Sequence, residues 1–338
     1  MTKDESKILQ GVALLLMVFL HLFNWGANVN LCTNLIHISG KPIVSLLSRA
    51  ANPVPFFLIL SGYGLHFNNP SSVNKLLKRT LRLFIYFWLA LLIFVCLGSF
   101  IKPDIYPGSY YDILMNITGI NYSYNNETWF FLPYILITLS SNVIFKLMHR
   151  IGPLFSVISA TIIYAATLYA MGRYSSHLIA TNRYYLMQLL AYFNFLLPFI
   201  LGGWLQEYSK NHTLKFLVGR ENLLPICLLM LLISVKTVYR TALFDPFYAL
   251  LFILLFLNVR RWRFLDIFLK EMGDKSMIIW LIHTYFCYYL FKEFIYGFKF
   301  PLLIYMATLS ISYLAALPIK YLADKIVKLT LPAKNRVV

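Results

Sequence analysis

Apolar runs follow one another from one end of the chain to the other, broken by short polar stretches in which lysine and arginine collect. Ten runs are predicted as spans, at 8–25, 43–65, 81–101, 129–148, 153–171, 184–206, 222–236, 243–258, 276–296 and 301–321. A helix needs about 20 residues to cross a bilayer. The seventh and eighth runs are short for that and would also suit one re-entrant pair. Within lipid every backbone group must be satisfied by the chain itself, which selects helices. The first run is too long, and too closely followed by others, for a cleaved signal peptide. The pattern predicts an all-α, polytopic transmembrane bundle of about ten spans. Residues 1–338 read as a single integral-membrane domain with no soluble domain attached.

Composition and charge sharpen this. The chain is 59% hydrophobic and 13% charged, where a soluble domain carries roughly 25% charged residues. The net charge of +17 would suit a nucleic-acid binder, but the basic residues are dispersed through the loops between apolar runs, so no nucleic-acid partner is expected. With ten spans, 21 of the 30 lysines and arginines share a side with the N-terminus. The positive-inside rule then puts both termini in the cytoplasm of a multi-pass plasma-membrane protein, most simply a bacterial one. Acids number only thirteen, and none falls in the middle of a run, which argues against an ion- or proton-coupled transporter. Cys32, Cys96, Cys227 and Cys287 are scattered without a CxxC spacing, the pattern of small apolar fillers. The loop 102–128 holds three glycosylation sequons, at Asn116, Asn121 and Asn126, which arise easily by chance in an Asn-rich loop.

A few polar residues interrupt the apolar pattern. The first run, KILQGVALLLMVFLHLFNW from Lys7 to Trp25, carries His21 and opens on Gln10 and Gly11. His21 lies about 20 Å along that helix, past the midplane towards the outside. It could be a histidine hydrogen-bonded to a neighbouring helix; a neutral imidazole at this depth could equally act as a general base. Pro53 and Pro55 should break or kink the second run, where Ser61 and Gly62 permit close backbone approach. Arg79 and Arg82 open the third run, as snorkelling anchors or as a cradle for phosphates. Glu127 and Trp129 sit at the outer mouth of the fourth. Ser276 and His283, seven residues apart, share a helix face, which suits a packing polar pair.

Taken in order, these stretches resemble the acyltransferase 3 family of integral-membrane acyltransferases over nearly the whole chain. The family's first helix carries an arginine, ten residues and a histidine; here the histidine is His21 and the arginine position is Gln10. Val54-Pro55-Phe56-Phe57-Leu58-Ile59-Leu60-Ser61-Gly62-Tyr63 is similar to its FF…LSGY segment, Thr128-Trp129-Phe130-Phe131-Leu132 to its tryptophan motif, and Ser276 to His283 to its late S…YLIH segment. Arg79 and Arg82 match its basic start to the third helix. The resemblance implies transfer of an acyl group, usually acetyl from cytoplasmic acetyl-CoA, to a hydroxyl of an extracytoplasmic glycan or glycolipid. It implies His21, Trp129 and Glu127 at the catalytic centre, His21 acting as base or briefly carrying the acyl group. Gln10, Ser61, Tyr63, Arg79, Arg82, Ser276 and His283 would line the substrate path, with Arg79 and Arg82 on the CoA phosphates and Trp129 or Ser61 facing the oxyanion. Acyl-CoA enters as a substrate; no permanently bound cofactor and no metal is expected. Two other readings suit the hydropathy: a transporter or flippase of a glycan or lipid precursor, and a non-catalytic membrane partner or sensor.

Overall fold

The computed structural model describes residues 1–68, 73–217 and 222–331. Arg220, Lys334 and Arg336, three of the basic residues assigned to the N-terminal side, lie outside these ranges. The main helices are α1 (Lys3–Phe23), α2 (Val54–Asn68), α3 (Val73–Ile101), α4 (Tyr110–Thr118), α5 (Phe131–Ile151), α6 (Pro153–Ala180), α7 (Tyr184–Asn211), α8 (Leu223–Val238), α9 (Asp245–Asn258), α10 (Arg263–Thr284) and α11 (Pro301–Thr330). Among the described residues the only strands are the two-residue pair His37–Ile38 and Lys41–Pro42. The protein is an all-α polytopic bundle; among the described residues, seven segments are long and apolar enough to cross a membrane.

Two predicted runs differ in detail. The second is a short helix, Ile43–Leu47, then a 3-10 turn and an unwound Ala51–Pro53 before α2; Pro53 and Pro55 enforce the break. The ninth begins at Arg263 rather than 276, because its charged first half is helical and paired with α1 through Lys270–Asp4 (2.8 Å) and Lys7–Asp274 (3.6 Å). It stops at Thr284 in a π turn, Tyr285–Tyr289. The short runs α8 and α9 have 16 and 14 residues, yet their ends reach the same two faces as their longer neighbours. At one face Asn222 bonds Arg260 and Asn258 bonds Leu214. At the other, buried Lys236 and Asp245 pair at 2.5 Å beside Asn52.

We call the first the basic face. It gathers the N-terminus, the ends of α2, α5 and α7, the start of α10 and the end of α11, through pairs such as Lys215–Glu5 (2.6 Å) and Lys320–Asp274 (3.6 Å). The opposite, His21 face carries the loop 102–128. There Asn116 and Asn121 are buried and spend their side chains on the loop's own groups. Neither is free to bear a glycan in the folded chain. Cys32 is half-buried beside this face, and burial pushes its thiol up to about 11, an unreactive state.

Two glycine-mediated crossings set the frame. On α1 and α10, a Cβ added at Gly11 would lie 1.9 Å from Leu269 O, and one at Gly273 2.0 Å from Lys7 O. On α2 and α7, a Cβ added at Gly62 would lie 2.1 Å from Phe199 O, and one at Gly202 2.1 Å from Ile59 O. Between helices in lipid the hydrophobic effect supplies no net attraction, so close backbone approach and dispersion hold the pairs together. The first crossing presses α1 against α10 and brings His21 to His283.

Candidate active site

Helix α1 presents Lys7, Gln10, Met17, His21 and Asn24 along one stripe, as their near-3.6-residue spacing dictates. That stripe lines a cavity of about 520 Å³ reaching from Ser6 to Trp25. Nineteen helical steps of 1.5 Å make this about 28 Å, close to the thickness of a bilayer's hydrocarbon core. The facing walls come from Ser61 on α2, Arg79 on α3, Tyr134 on α5, the 3-10 turn with Glu127 and Trp129, and Ser276 and Trp280 on α10.

At the His21 face the imidazoles form a chain. His283 is fully buried; its Nδ1 lies 2.9 Å from the carbonyls of Ile279 and Trp280. Carbonyls only accept, so His283 Nδ1 carries the proton and its Nε2 holds a lone pair. His21 Nδ1, 2.7 Å from that Nε2, must then donate. Proton exchange at His21 is thereby confined to Nε2, which sits 3.1 Å from Glu127 Oε2 and faces the cavity. The carbonyl of His21 accepts from the Tyr288 hydroxyl, so the turn is anchored from below as well.

Glu127 owes its position to Asn125. The Asn125 side chain caps the 3-10 turn by accepting from Glu127 N (3.1 Å), donates to Leu281 O (3.0 Å) and accepts from Thr284 Oγ1 (2.9 Å). Trp280 Nε1 closes on Glu127 O at 3.3 Å. One buried amide therefore ties the loop holding Glu127 to the helix holding His283. The indole N–H of Trp129 has no hydrogen-bond partner among the described residues, and the ring lines the cavity.

At the basic face the cavity is bounded by Lys7, Gln10 and Arg79. Arg79 Nη2 donates to the Tyr134 hydroxyl at 3.2 Å, and Ser61 Oγ lies 3.1 Å from the same oxygen. Lys7 leans on Asp274, which Lys275 (3.7 Å) and Lys320 (3.6 Å) also approach. Gln10 makes no hydrogen bond with the described protein and lies on the cavity wall.

Of the residues singled out from sequence, the cavity brings together His21, Glu127, Trp129, Gln10, Ser61, Arg79 and Ser276. Three lie elsewhere. Arg82, three residues beyond Arg79 and about 60° round the helix from it, does not line the cavity and instead meets Asp324 on α11 at 3.4 Å. Tyr63 points to the basic face, where its hydroxyl accepts from the N-terminal amine (2.8 Å) and bonds Ser209 (2.9 Å). His283 is sealed behind His21 and reaches the cavity only through it. Ser276 lines the wall, but its hydroxyl is spent on Gly273 O at 2.9 Å. Asn125, Tyr134, Tyr288 and Asp274 were not singled out. Asn125 carried a faint signal as the cap preceding Glu127; the others look like ordinary loop or interfacial residues until the helices are assembled.

No curated protein and no solved structure matches this chain. A family model described as an acyltransferase domain matches residues 4–321, so every element that lines the cavity lies within the match. That coverage, on a polytopic helical frame, means that the chain belongs to the acyltransferase 3 family and is a membrane acyltransferase.

Proposed function

We propose that the protein moves an acyl group, most simply acetyl, from cytoplasmic acyl-CoA to a hydroxyl of an extracytoplasmic carbohydrate or glycolipid, with His21 as the base. The observation that carries this reading is the single cavity that joins a basic end at Lys7 and Arg79 to a His–Glu end at His21 and Glu127. A donor that bears phosphates at one end and a thioester at the other suits such polarity. Gln10 and His21 are eleven residues apart, about 17 Å along α1, the scale of an extended pantetheine arm. The 21-to-9 partition of basic residues supports a cytoplasmic basic face and both termini inside a plasma membrane, most simply a bacterial one.

In this reading the donor's phosphates meet Lys7 and Arg79, with Gln10 hydrogen-bonding beside them. The acceptor hydroxyl approaches from the His21 face. His21 Nε2 takes its proton as the oxygen attacks the thioester carbon, and the Glu127 carboxylate stabilises the imidazolium. The Trp129 N–H, on the cavity wall and without a hydrogen-bond partner among the described residues, would donate to the oxyanion. Collapse breaks the C–S bond, and the imidazolium returns the proton to the thiolate, releasing ester and free CoA. Ser61 is a poorer oxyanion donor because the Tyr134 hydroxyl, itself held by Arg79, engages it near the other end.

The test is mass spectrometry of surface glycans and glycolipids from a deletion strain and its complemented parent. The reading predicts an acyl mass lost on deletion and restored by the gene. Unchanged acylation across all surface glycans, with uptake or flipping of a precursor in liposomes, would replace it with a transporter.

Gln10→Arg gives a second expectation. A neutral amide cannot pair with phosphate charge, whereas a guanidinium can do so bidentately. With Lys7, Arg79 and open cavity around it, the variant should be tolerated and lower the KM for acyl-CoA several-fold, with kcat little changed. A folded, inactive Gln10→Arg protein would show that the site is built around the amide.

A further inference from the structure

We infer that His66, His149 and Glu207 form a binding site for one divalent transition-metal ion of zinc-like ligand preference, on the basic face and apart from the cavity. The three residues sit on α2, α5 and α7. Their ligand atoms lie within 4.8 Å of one another. His66 Nε2 is 3.6 Å and His149 Nε2 3.7 Å from Glu207 Oε2. Ligand atoms around a tetrahedral ion with bonds of 2.0–2.2 Å stand about 3.4 Å apart, so the three need only a small contraction to share one.

Proximity alone would be weak. The stronger observation is what holds the two rings. His66 Nδ1 lies 2.6 Å from Gln206 Oε1, and His149 Nδ1 lies 2.7 Å from Phe145 O. Both partners are oxygen acceptors, so both Nδ1 atoms carry protons and both Nε2 atoms present lone pairs. The rings are nearly parallel, 15° apart with centroids at 5.2 Å, and aim those lone pairs at the same carboxylate. Two acceptor nitrogens facing an anion repel it unless a cation stands between them. An outer partner that fixes each imidazole's tautomer and orientation is the usual arrangement behind metal-bound histidines.

Lys210 currently answers part of that demand, its Nζ lying 2.7 Å from Glu207 Oε2. It is half exposed and can swing into water when an ion takes its place. Two imidazoles and a carboxylate suit zinc(II), cobalt(II) or their neighbours better than calcium or magnesium, which prefer all-oxygen shells. Three protein ligands leave a fourth position for water. The ion would tie the last turns of α2 and α5 to α7, clamping the helices that carry Ser61 and Tyr134. None of the three lines the cavity.

The test uses the full chain, free of any histidine tag, stripped with chelator and held in detergent micelles. Cobalt(II) is titrated and followed by its visible ligand-field bands, with zinc(II) as competitor. One equivalent should bind with a low-coordinate spectrum and raise the melting temperature. His149→Ala and Glu207→Gln should each weaken binding at least about 10-fold, and Gln206→Ala by about 10-fold or more. His149 is half exposed, so its loss leaves the fold intact, which size-exclusion elution verifies. Lys210→Met should tighten binding. Absence of saturable binding, or equal affinity in wild type, His149→Ala and Glu207→Gln, would overturn the site. These readouts do not depend on acyl transfer, so the assignment stands or falls separately from the proposed reaction.

Discussion

His21→Ala is expected to lower acyl transfer by about 10²–10⁴-fold, the range a positioned general base contributes, while the protein remains in the membrane and folded. The geometry gives the reason. Among the described residues His21 is the one imidazole on the cavity wall, and its Nδ1 is committed to His283 at 2.7 Å. Alanine removes the base and leaves His283 Nε2 without its donor, a loss of about 1–3 kcal/mol for an unsatisfied buried group. That is not enough to unfold a helix held along its length by α10. His283→Ala should give a smaller decrease, because it orients His21 rather than touching substrate, and Glu127→Gln should retain geometry but lose the counter-ion. The measurement is acyl content of surface glycans by mass spectrometry, normalised to membrane abundance of each variant. Wild-type acylation in a normally expressed His21→Ala strain would end the assignment of His21 as base.

Gly273→Val is expected to prevent accumulation of folded protein. A Cβ there would sit 2.0 Å from Lys7 O and 3.0 Å from Gly11 N. Both are backbone atoms, so no rotamer change relieves the overlap, and α1 and α10 must separate. Overpacking in a well-filled core costs about 1–3 kcal/mol and more when backbone must move. Separation would also pull His21 from His283, so residual folded protein should be inactive. Gly172→Ala is the control: nothing lies within 4 Å of its added Cβ, and alanine is the better helix former by roughly 0.5–1 kcal/mol. Size-exclusion elution and thermal melts of the two variants in detergent decide the matter. An unchanged melt for Gly273→Val would show that the crossing is not as tight as described.

The helical frame was legible because hydropathy is a local property. Each apolar run declared itself without reference to any other, and Pro53 with Pro55 announced the break before α2. Boundaries failed where charge and helix overlap: Arg263 to Lys275 looks like a loop by composition, yet ion pairs to α1 let it continue as helix. Residues that line the cavity were legible where type and context were both unusual, as with His21 in an apolar run and Glu127 in an acid-poor chain. Arg82 stands three residues from Arg79, on the same side of α3, but Asp324 of a helix distant in sequence draws it off the cavity, and Tyr63, two residues from Ser61, lies on another side of α2. The cluster of His66, His149 and Glu207 had no sequence signature at all: the three are separated by 83 and 58 residues, far beyond any short ligand motif.

By itself the sequence determined that this chain is an all-α membrane protein, that its first helix carries a polar residue needing a reason, and that its motifs resemble one acyltransferase family. Those conclusions follow from residue type and spacing along one helix at a time. Only the tertiary structure decided which polar groups meet. It fixed the tautomer of His283 through two carbonyls and thereby confined proton exchange at His21 to Nε2. It joined Lys7 and His21 to opposite ends of one cavity and set Arg82 outside it. The physical reason is that hydrogen-bond and steric constraints act over about 3 Å between groups as far apart in sequence as the 262 residues from His21 to His283, and no one-dimensional pattern records such distances.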